Sequence, residues 1–458
     1  MTKAKKFRKV RAAATLLLAV LMLTACAERT PPTGSTDTVT AVTEEKTEEP
    51  AKEPVLSELK LAGNDLADYQ IVYAQNRDHA VYENHVADAV NYYRRADSGK
   101  YPVTGETAEY FQSLIADTDT EFDRQTAEHL QRGLKEIFGA ELPVVRDAER
   151  KKQEKEIHIG DTDAGLAEET LRPVRGDAGY AVRLAGQKLS LCGNTYGASY
   201  QAVDAWLSSL KAEKKSCVEL ADDYRFSGQA ELTVIACLGD SITYGSRSTD
   251  QDKGFFSYPA VLGRMLWKTC LVYNYGVPGT TMCDSVLEKP EKWSYTRQTR
   301  YTEDCLGAAA DFDVALIMLG TNDAWGNPEK IPPDRRTDSA TRADFIATYQ
   351  KIAKDLRAKN PDVKLCVMTA PTTEGNTYSG GGEVYLARYI RRWQRTAAEQ
   401  SDSEIFEMGA FTAENLLPYR EAEVQKDYHG DMLHPNDGGY AKIAGAVRAM
   451  LAEKYEIQ

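Results

Sequence analysis

Histidine is scarce in this chain. There are six among 458 residues, and after position 225 only His429 and His434 remain, so a reaction there that needs an imidazole base has two candidates. Eight cysteines are present, but Cys192, Cys217, Cys237, Cys270, Cys283, Cys305 and Cys366 form an odd set without close pairs, and Cys26 stands apart. That spacing fits neither a disulfide framework nor a CxxC metal site. Several lie inside apolar runs such as "VIACLG" and "KLCVM" and are expected to be buried thiols. Positive charge is short as well: the net charge is −13, which speaks against binding nucleic acid or anionic lipid through the overall field. No internal repeat is evident, which excludes solenoid and propeller arrays. The apolar run from Ala12 to Leu23 is too short to cross a bilayer as a helix.

What the amino end does have is a processing pattern. Lys3, Lys5, Lys6, Arg8, Lys9 and Arg11 precede the apolar run, and Leu23-Thr24-Ala25-Cys26 closes it, the order of a secretory signal. The last four residues resemble a bacterial lipobox, which implies removal of residues 1–25 and lipid on Cys26. Loss of those six cations takes the formal charge to −19. Membrane association would then rest on the acyl chains, two or more being needed for stable anchoring. The expected location is extracytoplasmic, lipid-anchored to a bacterial cell membrane. Residues 26–54, rich in Thr, Glu and Pro, hold too little apolar surface to fold and are expected to be a disordered tether.

A first folded region is expected over 55–228. "YQIVYA", "LPVV", "EIHIG", "YAVRLAG" and "KLSLCGN" read as strands. Leu130, Leu134, Ile137 and Phe138 have helical spacing closed by Gly139, and "YGASYQAVDAWLSSL" reads as a second helix. "DAERKKQEKE" alternates in sign and is expected to be a solvated loop. "EIHIGDT" followed by "GYAVRLAGQKLSLCGNTYGASYQAVDAWL" resembles the noncatalytic α/β domain of β-hexosaminidases and α-glucuronidases.

The second region, 229–458, is plainer. "LTVIACLG", "CLVYNYG", "DVALIMLG", "KLCVMTAP" and "EIFEMGAF" read as buried strands, alternating with helices near 258–267, 341–358, 383–399 and 438–454. That alternation predicts an α/β fold with a parallel sheet covered on both faces. Functional loops then lie beyond the carboxyl ends of the strands. After the first strand stands Gly239-Asp240-Ser241, after the second Gly276-Val277-Pro278-Gly279-Thr280-Thr281, and after the third Gly320-Thr321-Asn322-Asp323. Taken singly, these are ordinary loop and cap residues. A serine becomes a nucleophile when a base takes its proton; His434 is the favoured partner of Ser241, since Asp431 three residues earlier can orient its imidazole. Thr243 occupies the place where a Gly-x-Ser-x-Gly elbow needs glycine.

These four blocks, ending in Asp431-Met432-Leu433-His434, resemble those of the SGNH or GDSL esterase and lipase superfamily, in the same order. The resemblance implies a flavodoxin-like three-layer α/β/α fold and acyl-ester hydrolysis without metal or other cofactor. It implies Ser241 as nucleophile, His434 as base and Asp431 as its orienter. The oxyanion hole would be the backbone N–H of Ser241, the backbone N–H of Gly279 and the side-chain amide of Asn322, with Gly276 competing with Gly279. The partner is then an acylated small molecule or polysaccharide. Loops 287–304, 326–342 and 371–383, with Tyr244 and Trp325, are expected to shape the substrate site. They carry no long apolar stripe that would favour a lipid chain, and together with surface tethering and the first region's resemblance to glycosidase modules this points to an acetyl ester on a carbohydrate. A lipase or thioesterase acting on longer chains, an acyltransferase, and a carbohydrate-binding protein with little catalysis are the alternatives.

Overall fold

A computed structural model describes residues 58–74, 121–213, 216–248, 256–324, 329–372, 382–416 and 433–458. The chain divides into two units, Met1–Glu53 and Pro54–Gln458. The signal, Cys26 and the tether read from the sequence lie outside the described residues. Within them, no helix is long and apolar enough to cross a membrane.

The amino-terminal half of the second unit contains a short sheet of order β2-β1-β8, from β1 (Glu58–Leu61), β2 (Asn64–Asp65) and β8 (Cys217–Leu220). Beside it in sequence is a six-stranded mixed sheet of order β4-β3-β5-β7-β6-β9. Its strands are β3 (Gln70–Tyr73), β4 (Val144–Arg146), β5 (Glu156–Ile159), β6 (Gly179–Ala185), β7 (Lys188–Gly193) and β9 (Arg225–Gln229). Helices α1 (Phe122–Phe138) and α3 (Tyr196–Ala212) contribute Leu130, Leu134, Val203 and Trp206 to a core shared with Ile157 and Ile159 of β5. Gly139 caps α1 in the left-handed conformation, as the helical spacing predicts.

The period of two along β5 sends its other residues, Glu156 and His158, to the opposite face, where both are fully buried. Glu156 there accepts from Arg150 Nε at 3.0 Å, Gln70 Nε2 at 3.0 Å and the Gln153 N–H at 3.2 Å. The "DAERKKQEKE" segment is therefore more than a solvated loop. Its Arg150 side chain is 1% exposed and pairs with both Glu156 and Asp163. Sign alternation read the exposed residues correctly, but could not show that the segment's last residue, Glu156, opens β5 and is buried.

The carboxyl-terminal half is a five-stranded parallel sheet of order β11-β10-β12-β13-β14: β10 (Thr233–Gly239), β11 (Cys270–Gly276), β12 (Val314–Met318), β13 (Lys364–Met368) and β14 (Glu404–Phe406). Counted within the sheet this is 2-1-3-4-5, the flavodoxin-like order. Alternate residues of each strand face two different cores, which is why the strands read as unbroken apolar runs. Ala236, Leu238, Ala315 and Ile317 pack with Phe345, Tyr349 and Ile352 of α6 (Ser339–Lys359) and Trp393 of α7 (Arg391–Gln400). Ile235, Cys237, Leu316 and Met318 pack instead with Leu262 of α5 (Tyr258–Met265) and with Tyr440, Ile443 and Val447 of α9 (Asp437–Tyr455). The result is a three-layer α/β/α arrangement. Among the described residues all seven cysteines are free, and six are buried.

One expected strand is shortened. "EIFEMGAF" extends only to Phe406, because this edge strand has three ladder partners in β13, and α8 (Met408–Asn415) begins two residues later.

Candidate active site

Strand register brings the loops together. Gly239, the last residue of β10, stands opposite Gly276 of β11 and Met318 of β12, so the chain leaves all three strands at one level. The order of the sheet reverses between β10 and β12, and a crevice at such a switch point is where ligands bind in open α/β sheets.

Ser241 starts a single-turn helix, α4 (Ser241–Tyr244), whose N-cap is Asp240. The buried Asp240 carboxylate accepts from the Ile242 N–H at 3.0 Å. Burial pushes its pKa up to about 6, with that hydrogen bond and the charges of His434 and Lys330 acting the other way. Asp240 thus shapes the turn, the role the sequence suggests for it. Half-buried Ser241 faces His434, with His434 Nε2 2.9 Å from Ser241 Oγ. His434 precedes α9, whose N-cap Asn436 accepts from the Gly439 N–H at 3.0 Å. Tyr440 of the same helix donates from its hydroxyl to the Ser246 carbonyl at 2.7 Å, fixing α9 against the serine loop. Asp431 and His429 lie outside the described residues.

The other pair of loops is joined more heavily. Asn322 Nδ2 donates to the Thr280 carbonyl at 3.0 Å. The next residue, buried Asp323, accepts from the N–H groups of Met282 and Cys283, each at 2.9 Å. Burial holds the Asp323 pKa above the usual carboxylate value against those hydrogen bonds. Gly279 has φ of +79°, a left-handed conformation that suits glycine. A methyl group there would lie 3.2 Å from the Trp293 ring. Its competitor Gly276 has a different duty. The Gly276 N–H already donates to Asn274 Oδ1 at 2.9 Å, and a methyl group at Gly276 would come within 2.3 Å of the Tyr244 nitrogen. Gly276 is a packing glycine that lets α4 sit against β11.

Residues 237–442 match the model of the GDSL-like Lipase/Acylhydrolase family. Solved structures similar to this chain include an acetyl xylan esterase, at 20% identity over 48% of this chain and 99% of the other, TM-score 0.35. Another is an acetylxylan esterase from Geobacillus stearothermophilus, at 22% identity over 47% of this chain and 93% of the other, TM-score 0.34. A third is the aryl esterase of M. smegmatis, at 18% identity over 48% of this chain and 99% of the other, TM-score 0.36. No curated protein matches the chain.

Around the loops that carry Ser241 and Asn322, two residues escape sequence reasoning. Asn274 lies inside β11, where a polar residue in an apolar run reads as incidental. Its amide nitrogen donates to the Thr243 carbonyl at 2.9 Å and to Ser257 Oγ at 3.3 Å, tying the serine turn to the neighbouring strand. Lys330, in the 326–342 loop, is 7% exposed. It donates to the Gly279 carbonyl at 2.7 Å and to Asn322 Oδ1 at 3.1 Å, and its Nζ lies 4.5 Å from the centre of the Trp293 ring. The lone signal for Lys330 in the sequence is the proximity of its loop to Asn322.

The loop 287–304 divides between core and surface, with Leu287, Ser294, Tyr295, Thr296 and Tyr301 buried and Lys289 and Lys292 exposed. It folds as three short helical turns, with Tyr295 and Tyr301 fully buried against the sheet; its aromatics supply more apolar surface than the residue-by-residue polarity suggests. Of that loop, Trp293 reaches Gly279. Trp325 and residues 373–381 lie outside the described residues. Among the described residues no group of three or more His, Cys, Asp or Glu is placed to hold a metal ion.

Proposed function

We propose that this protein is a serine esterase that removes acetyl groups from a carbohydrate through an acyl-enzyme. The observation that carries the reading is the 2.9 Å contact between Ser241 Oγ and His434 Nε2 at the carboxyl edge of the sheet. That is hydrogen-bond reach for a general base and its nucleophile. Ser241 Oγ attacks the ester carbonyl carbon while its proton passes to His434 Nε2, and Asp431 takes the other imidazole N–H. The negative charge that develops on the carbonyl oxygen is met by the N–H groups of Ser241 and Gly279 and the second amide hydrogen of Asn322. Collapse of the intermediate breaks the bond to the sugar oxygen, which leaves with the His434 proton. Water, deprotonated by His434, then attacks the acetyl carbonyl, releasing acetate and restoring Ser241.

The surroundings of Gly279 support a polar rather than a fatty substrate. Lys289 and Lys292 pair with Glu329 at 3.0 and 3.2 Å, and Lys292 lies 4.4 Å from the centre of the Trp293 ring. An aromatic ring set among charges suits a sugar ring better than an alkyl chain. The test is acetate release from acetylated xylan, pectin, chitin and peptidoglycan, beside p-nitrophenyl esters of increasing chain length. Acetyl carbohydrate should be preferred, and Ser241→Ala should lower kcat by roughly a millionfold. Full activity in Ser241→Ala would refute the nucleophile; a preference for long acyl chains would refute the substrate.

The lipobox adds a location: lipid on Cys26 holds the enzyme at the outer face of a cell membrane. The activity of cells should therefore sediment with membranes and become soluble in Cys26→Ala. A soluble native enzyme would refute the anchor.

A further inference from the structure

Lys330 is a buried cation without a paired carboxylate among the described residues. Its two hydrogen-bond partners are neutral, the Gly279 carbonyl and the Asn322 side-chain oxygen. Burying a charge without an ion-pair partner is costly, and such groups are retained where their field is used. The geometry at Asn322 shows a use. A lysine ammonium only donates, so the Asn322 atom facing it must be the oxygen. The amide nitrogen is thereby turned toward the Thr280 carbonyl, which takes one hydrogen at 3.0 Å and leaves the other available. Reversal of the amide would place Nδ2 against the ammonium and present an acceptor where a donor is needed. A cation on Oδ1 also draws electron density from the amide and strengthens its remaining N–H as a donor.

We propose that Lys330 is a positioning residue of the oxyanion hole, acting through Asn322 by fixing the orientation of its amide and polarising it. This rests on the reading of Asn322 as an oxyanion donor. The charge on Lys330 is itself conditional. Burial lowers its pKa to about 8, while Asp323 and Asp240 hold it up and Lys292 pushes it down. Above that pH the ammonium loses its proton and the amide loses its charged partner, so kcat should fall on the alkaline side while KM changes little.

The experiment follows acetate release from a neutral acetyl ester by pH-stat titration between pH 6 and 10. It compares the full-length native enzyme with Lys330→Arg, Lys330→Gln, Lys330→Met, Asn322→Ala and the Lys330→Met, Asn322→Ala double variant. Asn322→Ala should lose roughly 10²–10³ in kcat; if it loses nothing, the oxyanion reading itself fails. Lys330→Met should lose roughly ten- to a hundredfold in kcat, the worth of a hydrogen bond to a charged group, with KM nearly constant. It should also lack the alkaline limb near pH 8. Lys330→Arg should recover much of kcat and move that limb upward. The double variant should be no slower than Asn322→Ala, because Lys330 has nothing left to orient. With Asn322→Ala impaired, a native kcat and pH profile in Lys330→Met, or fully additive losses in the double variant, would overturn the proposal. Should Lys330→Met fail to fold, as judged by circular dichroism, Lys330→Gln and Lys330→Arg carry the same comparison of pH profiles.

Discussion

His158 shows how much one side chain can depend on its surroundings. It is fully buried on the face of the six-stranded sheet opposite α1 and α3, with Nδ1 2.9 Å from Thr162 Oγ1 and Nε2 3.2 Å from Glu156 Oε2. Burial lowers its pKa from the usual 6.5 to about 4; Glu156 and Asp163 oppose that shift, and Lys188 and Arg150 add to it. The unfolded chain therefore takes up a proton at His158 before the folded chain does, so stability falls as pH drops from about 6.5 toward 4. A shift of this size corresponds to about 3 kcal/mol across the window. Urea unfolding at pH 7, 6, 5 and 4 should show the decline, and in His158→Gln that part of the slope should disappear. An unchanged slope would place the acid sensitivity elsewhere. The same contrast between residue and setting holds at Gly276 and Gly279, two glycines three positions apart. One allows close packing with its N–H already bonded to Asn274; the other has the left-handed backbone beside Trp293 and Lys330.

The element that carries Ser241 is a single helical turn. A helix of four residues cannot hold itself, since nucleation is unfavourable and one turn closes almost no hydrogen bonds. Neighbours therefore hold α4. Asp240 caps it, Asn274 of β11 binds the carbonyl of Thr243, and Tyr440 of α9 binds the carbonyl of Ser246. Asn274→Ala leaves a buried carbonyl without its donor and frees one side of the turn. We expect a loss of about 1–3 kcal/mol in stability and a fall in kcat larger than any change in KM, since Ser241 is less well held. Chemical unfolding and steady-state kinetics on one ester check both. A variant with native kcat would show that Asp240 and Tyr440 suffice. On the far side of the crevice the third loop needs no such help, because Asn322 and Asp323 together make three hydrogen bonds to the loop after β11.

Across the whole second unit, the half bearing the six-stranded sheet meets the half bearing the parallel sheet away from the edge that carries Ser241. Gln201 of α3 donates to the Lys268 carbonyl at 3.0 Å, the Phe122 and Trp267 rings lie 4.8 Å apart, and Tyr273 hydrogen-bonds Asp177. Trp267 and Lys268 stand just ahead of β11, separated from it by Thr269, so they mark the amino end of the parallel strands, opposite Ser241. The approach is close: a methyl group on Gly197 of α3 would come within 2.4 Å of the Trp267 carbonyl. In the described contacts this half supports the base of the sheet, while the proposed catalytic residues Ser241 and His434 lie at its other end.

Apolar runs of strand length, broken by amphipathic helices, determined the parallel α/β class by themselves, because strands buried on both faces need no partner information to be recognised. The Gly-Asp-Ser, Gly-Thr-Asn-Asp and Asp-x-x-His blocks at strand ends, with so few histidines to choose from, likewise named Ser241, His434 and Asn322 as candidates. That the Gly276 N–H is already bonded, how the amide of Asn322 is turned, and that a lysine and an asparagine hold these loops were decided only by the tertiary structure. Those facts depend on strand register and on burial. Both arise from contacts between residues tens of positions apart, such as Lys330 with Gly279, and no local pattern along the chain records them.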